Sequence, residues 1–114
     1  LLCEDTRTTA KLLERYGTIP VISLGADGGL AVLPDRAYRI PPISVPVVNA
    51  AGAGDAVLAG LAASVVRGLP VEEGLRLGFG AATAVVGTLG TAECTLEAIG
   101  RYAAQIELLA YEPV

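Results

Sequence analysis

The feature that most constrains this chain is residues 56–66, where Val57, Leu58, Leu61, Val65 and Val66 recur among Ala and Gly and no charge appears until Arg67. The run falls short of the ~20 residues that span a bilayer, and Arg67-Gly68-Leu69-Pro70 closes it. A helix that is apolar all round belongs in an interior, so the sequence predicts a buried helix covered on most of its sides. With 114 residues, 53% of them hydrophobic, the chain has the material for such a core. That material is Ala, Val, Leu and Gly, with four Tyr, one Phe and no Trp or Met, which permits close approach of elements.

Charge and cysteine content remove several classes of function. The net charge is −4 and no Lys/Arg cluster exists to neutralise a run of phosphates, which argues against a nucleic-acid surface. Any phosphate bound here must be held locally, by backbone amides or a metal. Cys3 and Cys94 are too few and too far apart for a disulfide scaffold or a zinc site, and no His completes one. A reducing cytoplasm is the expected compartment. Leu1-Leu2-Cys3 runs straight into Glu4-Asp5-Thr6-Arg7, unlike a signal peptide. The chain opens in mid-pattern without Met, as expected of a piece of a longer protein.

Periodicity gives the element order. Residues 5–16 carry Ala10, Leu12, Leu13 and Tyr16 at helical spacing and stop at Gly17. Pro20-Val21-Ile22-Ser23-Leu24 reads as a buried strand entering the turn Gly25-Ala26-Asp27-Gly28-Gly29. Helix followed by buried strand indicates an α/β protein. Residues 30–33 and 37–40, split by Pro34-Asp35-Arg36, read as a hairpin, expected as an antiparallel flap on a sheet edge. Pro41, Pro42 and Pro46 make residues 41–46 an extended connector rather than a central strand. A helix follows from Gly52, and another from Pro70 to about Val86 with Glu72 and Glu73 at its positive end. Thr95 is placed to cap a last helix using Leu96, Ile99, Ala103, Ile106 and Leu109. The expected organisation is one domain over residues 1–114, with no internal repeat.

Chemistry concentrates at Asn49-Ala50-Ala51-Gly52-Ala53-Gly54-Asp55, where an extended segment becomes a buried helix. Free backbone N–H groups at a helix start bind anions. Glycines at 52 and 54 let a phosphate approach without a Cβ in the way. Asp55 beside such a cradle is a poor phosphate ligand but a suitable acceptor for a hydroxyl proton. A plainer account fits the same residues: Asp is favoured in a first helical turn, and Gly-Ala-Gly permits tight packing. The segment alone does not separate the two. No Gly-Lys-Ser/Thr exists, which excludes a P-loop, and residues 52–57 lack the third glycine of a dinucleotide fingerprint. Gly25 to Gly29 is a second candidate nucleotide loop, since ligands of open α/β sheets collect at strand ends, although such a segment taken singly is more often a plain turn. Phe79 and Thr83 share a helix face that fits either a base or the core.

Taken together, Ser23-Leu24-Gly25-Ala26-Asp27-Gly28, Asn49 to Ala56, Arg76-Leu77-Gly78-Phe79-Gly80-Ala81-Ala82 and Gly90-Thr91 resemble the PfkB (ribokinase-like) family of carbohydrate kinases over essentially the whole chain. The resemblance implies the C-terminal third of such a kinase, part of a three-layer α/β/α fold with a short β-hairpin and a helical C-terminal half. The sugar-binding half, the lid and an Asn-x-x-Glu metal motif would lie upstream. By the same resemblance Asp55 is the catalytic base, Gly52, Ala53 and Gly54 form the anion hole, and Ser23, Leu24, Gly25, Ala26, Asp27 and Gly28 contribute to ATP binding. Val47 and Val48 approach the nucleotide, and Phe79 and Thr83 fall at adenine-pocket positions. A monovalent cation site, K+ in several members, maps onto Asn49, Ala51, Val85, Thr88, Gly90 and Ala92.

Many ribokinase-type members begin the catalytic motif with Asp-Thr, where this chain has Asn49-Ala50. An Asn there resembles the phosphosugar branch, which includes 6-phosphofructokinase, 1-phosphofructokinase and tagatose-6-phosphate kinase. Arg76-Leu77-Gly78 and Gly90-Thr91 point the same way. The change also makes one cation ligand neutral. The implied reaction is in-line phosphoryl transfer from ATP with Mg2+ to a sugar hydroxyl, with a sugar or sugar phosphate and ATP as partners and a homodimer as the candidate assembly of the parent. A kinase for ribose, adenosine or another unphosphorylated acceptor, a nucleotide-binding module without catalysis, and a purely structural domain are the alternatives.

Overall fold

The computed structural model describes residue 8, residues 11–88 and residues 94–111. The chain divides into two compact units, Leu1–Pro42 with Leu108–Val114, and Ile43–Glu107.

The first unit opens with α1, described over residues 11–16. It stops where expected: Gly17 adopts φ 62° and its N–H donates to Leu13 O at 2.8 Å. Its apolar residues are not all covered, since Leu12 and Tyr16 are exposed. Four strands follow: β1 (Val21–Ser23), β2 (Gly29–Val32), β3 (Ala37–Ile40) and β4 (Leu109–Tyr111). The β2–β3 hairpin has the anticipated register, Val32 opposite Ala37 and Gly29 opposite Ile40, and Leu33 N–H donates to Arg36 O across the loop. It is not an edge flap. The sheet order is β1-β2-β3-β4, so the hairpin forms the middle of the sheet. β2 is buried along its whole length, as a central apolar strand should be.

A second correction concerns β4. The periodicity through Ile106 and Leu109 predicted a continuing helix, but α4 (Leu96–Ala103) ends early and Leu109 pairs with Arg39. Pairing with a strand some seventy positions away in the sequence overrides local helical spacing.

The second unit contains the connector, then α2 (Ala53–Val66), α3 (Val71–Val86) and α4. α2 ends in a Schellman motif: Gly68, at φ 68°, donates to Val65 O, and Leu69 donates to Ser64 O. Glu72 and Glu73 then occupy the first turn of α3, where the helix dipole favours negative charge. Thr95 caps α4 as anticipated, its hydroxyl accepting Ala98 N–H at 3.1 Å.

The α2–α3 contact is unusually close because it is built from small residues. A Cβ on Gly60 would collide with the Gly78 backbone, one on Gly74 with the Ser64 hydroxyl, and one on Gly78 would lie 2.7 Å from Val57 O. On the other side of α3, a Cβ on Gly80 would lie 2.7 Å from Ala103 N. Ala56, Ala81 and Val85 form a buried cluster with Ala82 and Ile99 packed against it. The expectation that α2 is covered on most sides is corrected here. α3 covers one face, burying Ala56, Val57 and Ser64, while Leu58, Val65 and Val66 are 66%, 78% and 86% exposed.

Candidate active site

Within the second unit, the connector is fixed to the end of α3 by a shared acceptor. Val48 N–H and Asn49 N–H both donate to Val86 O, at 2.7 and 3.1 Å. Asn49 Oδ1 then accepts Ala51 N–H at 3.0 Å, a side-chain turn that imitates a backbone one. Gly52 follows at φ 88°, a left-handed conformation natural to glycine, and reverses the chain into α2.

This geometry leaves donors facing outward. Ala53 N–H is engaged with Ala50 O at a long 3.4 Å, and the first helical bond runs from Ala56 N–H to Gly52 O at 2.9 Å. The amides of Gly52, Gly54 and Asp55 donate to no acceptor among the described residues. Gly54 has open space where a Cβ would be. Asp55 is exposed in the first turn while its neighbour Ala56 is buried in the cluster with Ala81 and Val85. The turn that carries the carboxylate is therefore held from behind by packing and open in front. Such a start attracts anions through its N–H groups and dipole, and the Asp55 carboxylate is exposed beside it.

Residues 23–28 belong to the first unit. Leu24 N–H donates to Gly28 O at 2.8 Å and Asp27 N–H to Leu24 O at 3.0 Å around a single 3-10 turn, Gly25–Asp27. Ser23, Gly25, Ala26 and Asp27 are exposed, Leu24 is half-buried and Gly28 is buried. Gly28 combines φ 84° with a position where a Cβ would collide with Ile40 O, so no other residue fits.

The remaining candidates lie in the second unit. Val47 and Val48 are exposed, 66% and 50%, beside the helix start. Phe79 is buried and packs in the core, while half-buried Thr83 donates its hydroxyl to Phe79 O at 2.8 Å. Of the cation candidates, the structure gathers Asn49, Val85 and Thr88 around the end of α3: Asn49 through Val86 O, and Thr88 through its N–H and Oγ1, which both donate to Val85 O at 3.1 and 2.9 Å. Ala51 is exposed one turn away, and Gly90 and Ala92 lie outside the described residues. Neutral oxygens at the negative end of a helix suit a monovalent cation in kind. No group of three or more His, Cys, Asp or Glu able to hold a metal occurs among the described residues.

Two contributors escaped the sequence reading. Val86 acts through its carbonyl, which no side-chain pattern announces. The Gly60–Gly78 contact has a signal, since Gly74 and Gly78 on α3 and Gly60 and Ser64 on α2 are each four residues apart and so share a helix face.

The family model described as pfkB family carbohydrate kinase matches residues 4–99. The chain belongs to the PfkB family. Among curated PfkB-type relatives, a 1-phosphofructokinase of Haloferax volcanii is 45% identical over 75 residues, 66% of this chain and 25% of the relative. An ATP-dependent 6-phosphofructokinase isozyme 2 of Mycobacterium tuberculosis is 33% identical over 105 residues, 90% of this chain and 31% of the relative. The crystal structure of phosphofructokinase-2 from Escherichia coli in complex with potassium superposes with a TM-score of 0.81 at 24% identity, over 90% of this chain and 34% of that one. Ribokinase from Thermotoga maritima gives 0.79 at 25%, over 87% and 34%. The fold is thus that of a ribokinase-like α/β protein, and the chain spans about a quarter to a third of the length of these relatives. No helix among the described residues is long and apolar enough to cross a membrane.

Proposed function

We propose that this chain is the catalytic, nucleotide-binding portion of an ATP-dependent kinase that phosphorylates a hydroxyl of a phosphosugar, with fructose 6-phosphate, fructose 1-phosphate and tagatose 6-phosphate as the candidate acceptors. The observation that carries the reading is the start of α2: an exposed Asp55 beside amides at Gly52, Gly54 and Asp55 itself that donate to no acceptor among the described residues. The names of the phosphofructokinase relatives support the acceptor class, as does Asn49 in place of an aspartate.

In this mechanism the Asp55 carboxylate accepts the proton of the acceptor hydroxyl as the hydroxyl oxygen bonds to the γ-phosphorus of ATP, the bond from that phosphorus to the β,γ-bridging oxygen breaks, and ADP leaves with the bridging oxygen. The amides at the α2 start face the oxygens of the transferred group, whose charge is stabilised by fixed donors rather than by reorganising water. Burial of Ala56 against Ala81 and Val85 keeps those donors in place, and positioning is most of what phosphoryl transfer asks of a protein. Val47, Val48 and Thr83, with Phe79 supporting Thr83 from the core, are the candidate nucleotide contacts of the second unit, and residues 23–28 are the candidate nucleotide loop of the first. Mg2+ enters with ATP. Asn49, Ala51, Val85 and Thr88, with Gly90 and Ala92, would hold K+, which would fix the loop before α2 through its oxygens.

The second reading is a ribokinase-type enzyme for an unphosphorylated sugar, favoured by the likeness to ribokinase. Assay of the full-length protein that carries this chain, with ATP and each of the three phosphosugars against ribose, separates them. Transfer to a phosphosugar with little to ribose supports the proposal; the reverse preference overturns it.

A further inference from the structure

α4 meets α3 at two levels, one helical turn apart. At Ala103 the backbones come into close contact, because a Cβ on Gly80 would lie 2.7 Å from Ala103 N and 3.0 Å from Ala103 Cβ. One turn earlier, Ile99 is half-buried and packs against the cluster of Ala56, Ala81 and Val85. Leu96, the other large aliphatic residue of α4, is 87% exposed, so Ile99 is the aliphatic side chain that α4 turns inward. A β-branched side chain in a helix has one strongly preferred rotamer, and the Thr95 hydroxyl caps this helix. Ile99 is therefore a stiff wedge whose place is set by the α4 backbone.

The cluster behind which it sits is tied to both halves of the candidate site. Ala56 follows Asp55, and its N–H makes the first bond of α2, to Gly52 O. Val85 O accepts the N–H and the hydroxyl of Thr88, and the next carbonyl, Val86 O, anchors Val48 and Asn49. The α2 start has little grip of its own. Glycine at the N-cap brings no capping side chain, Ala53 N–H reaches Ala50 O at 3.4 Å, and Gly54 has no side chain to pack. Ala56, Ala81 and Ala82 contribute one methyl group each, so the bulk behind the turn comes from Val85 and Ile99. We infer that Ile99 is a positioning residue: acting through Ala56 and Val85, its side chain fixes where the Asp55 carboxylate stands relative to the amides of Gly52, Gly54 and Asp55. The inference rests on the reading of Asp55 as the proton acceptor. Group transfer is exacting in this respect, since a displacement of ~1 Å costs on the order of 100-fold in rate.

Turnover and hydrogen exchange in the full-length protein test this, with Ile99→Ala, Ile99→Val and the control Ile106→Ala. The control makes the same truncation at a buried residue of the same unit, outside the cluster. At a temperature where every variant is folded, Ile99→Ala is expected to lower kcat about 10-fold with KM for ATP within about three-fold, the split that lost positioning gives and lost binding does not. Exchange at the Ala56 amide should accelerate by about the same factor, because the α2 start opens more often. Ile99→Val, one methyl group smaller, should lower kcat about three-fold, and it decides the test if Ile99→Ala does not fold. Ile106→Ala should leave kcat and Ala56 exchange near the parent values. Unchanged kcat or unchanged Ala56 exchange in the Ile99 variants overturns the inference. An equal loss of kcat in Ile106→Ala also overturns it, because the effect then follows stability rather than position. The exchange readout uses no catalysis, so failure of the kinase reading, seen as undiminished turnover in Asp55→Asn, is distinguishable from failure of this one.

Discussion

Gly78 lies so close to Val57 that a Cβ on the glycine would sit 2.7 Å from the Val57 carbonyl oxygen. Val57 is two residues from Asp55, so the spacing of α2 and α3 at this point governs where the carboxylate stands. Gly78→Ala is expected to lower stability by about 1–3 kcal/mol, the usual cost of overpacking a close contact, and to lower turnover with it. Thermal unfolding and steady-state rates of the full-length protein check both. Gly100 provides the contrast: it lies in α4 with open space around it, so Gly100→Ala should raise stability by about 0.5–1 kcal/mol.

Gly28 is more demanding than Gly78, because its positive φ and the Ile40 carbonyl oxygen act together. Gly28→Ala should destabilise the first unit, read as faster hydrogen exchange at the Leu30 and Ile40 amides. Gly25 also has a positive φ but meets nothing within 4 Å. Gly25→Asn is expected to be mild, since Asn tolerates the left-handed region best among non-glycine residues.

Thr95→Ala removes the hydroxyl that accepts Ala98 N–H. Loss of a helix cap costs about 1 kcal/mol, and the expected result is a lower unfolding midpoint, with Thr95→Asp close to the parent value.

Asn49→Ala removes the oxygen that holds Ala51 N–H while leaving both bonds to Val86 O, which use the backbone. The expected outcome is a fold of nearly unchanged stability with a looser α2 start, read as weaker ATP binding in calorimetry. Asn49→Asp keeps an acceptor there and should retain affinity better than Asn49→Ala.

Local chemistry made much of this molecule legible. Proline and aspartate at 34 and 35 marked the β2–β3 loop, Gly17 and Gly68 marked helix ends, and the change from prolines to alanines around Gly52 marked the α2 start. Long-range relations were not legible in the same way. Nothing near Leu109 announces Arg39 as its partner, so β4 was read as helix and the hairpin as an edge. The residues of α2 called for cover on most sides, and their pattern does not reveal that α3 covers one face alone. At the candidate site, the start of α2 after Gly52, with Asp55 in its first turn, could be placed from side-chain identity. The double anchor on Val86 O could not, because a backbone carbonyl is the same in every residue.

The central claim is that Asp55 accepts the proton from the acceptor hydroxyl, and replacing its carboxylate with an isosteric amide in the full-length protein tests it most directly. Asp55→Asn keeps the shape of the α2 start and its amides, so ATP binding by calorimetry should be retained. Turnover should fall by ~10²–10⁴-fold or more, the contribution of a positioned general base. Near-normal turnover of Asp55→Asn with ATP and its phosphosugar would contradict the account.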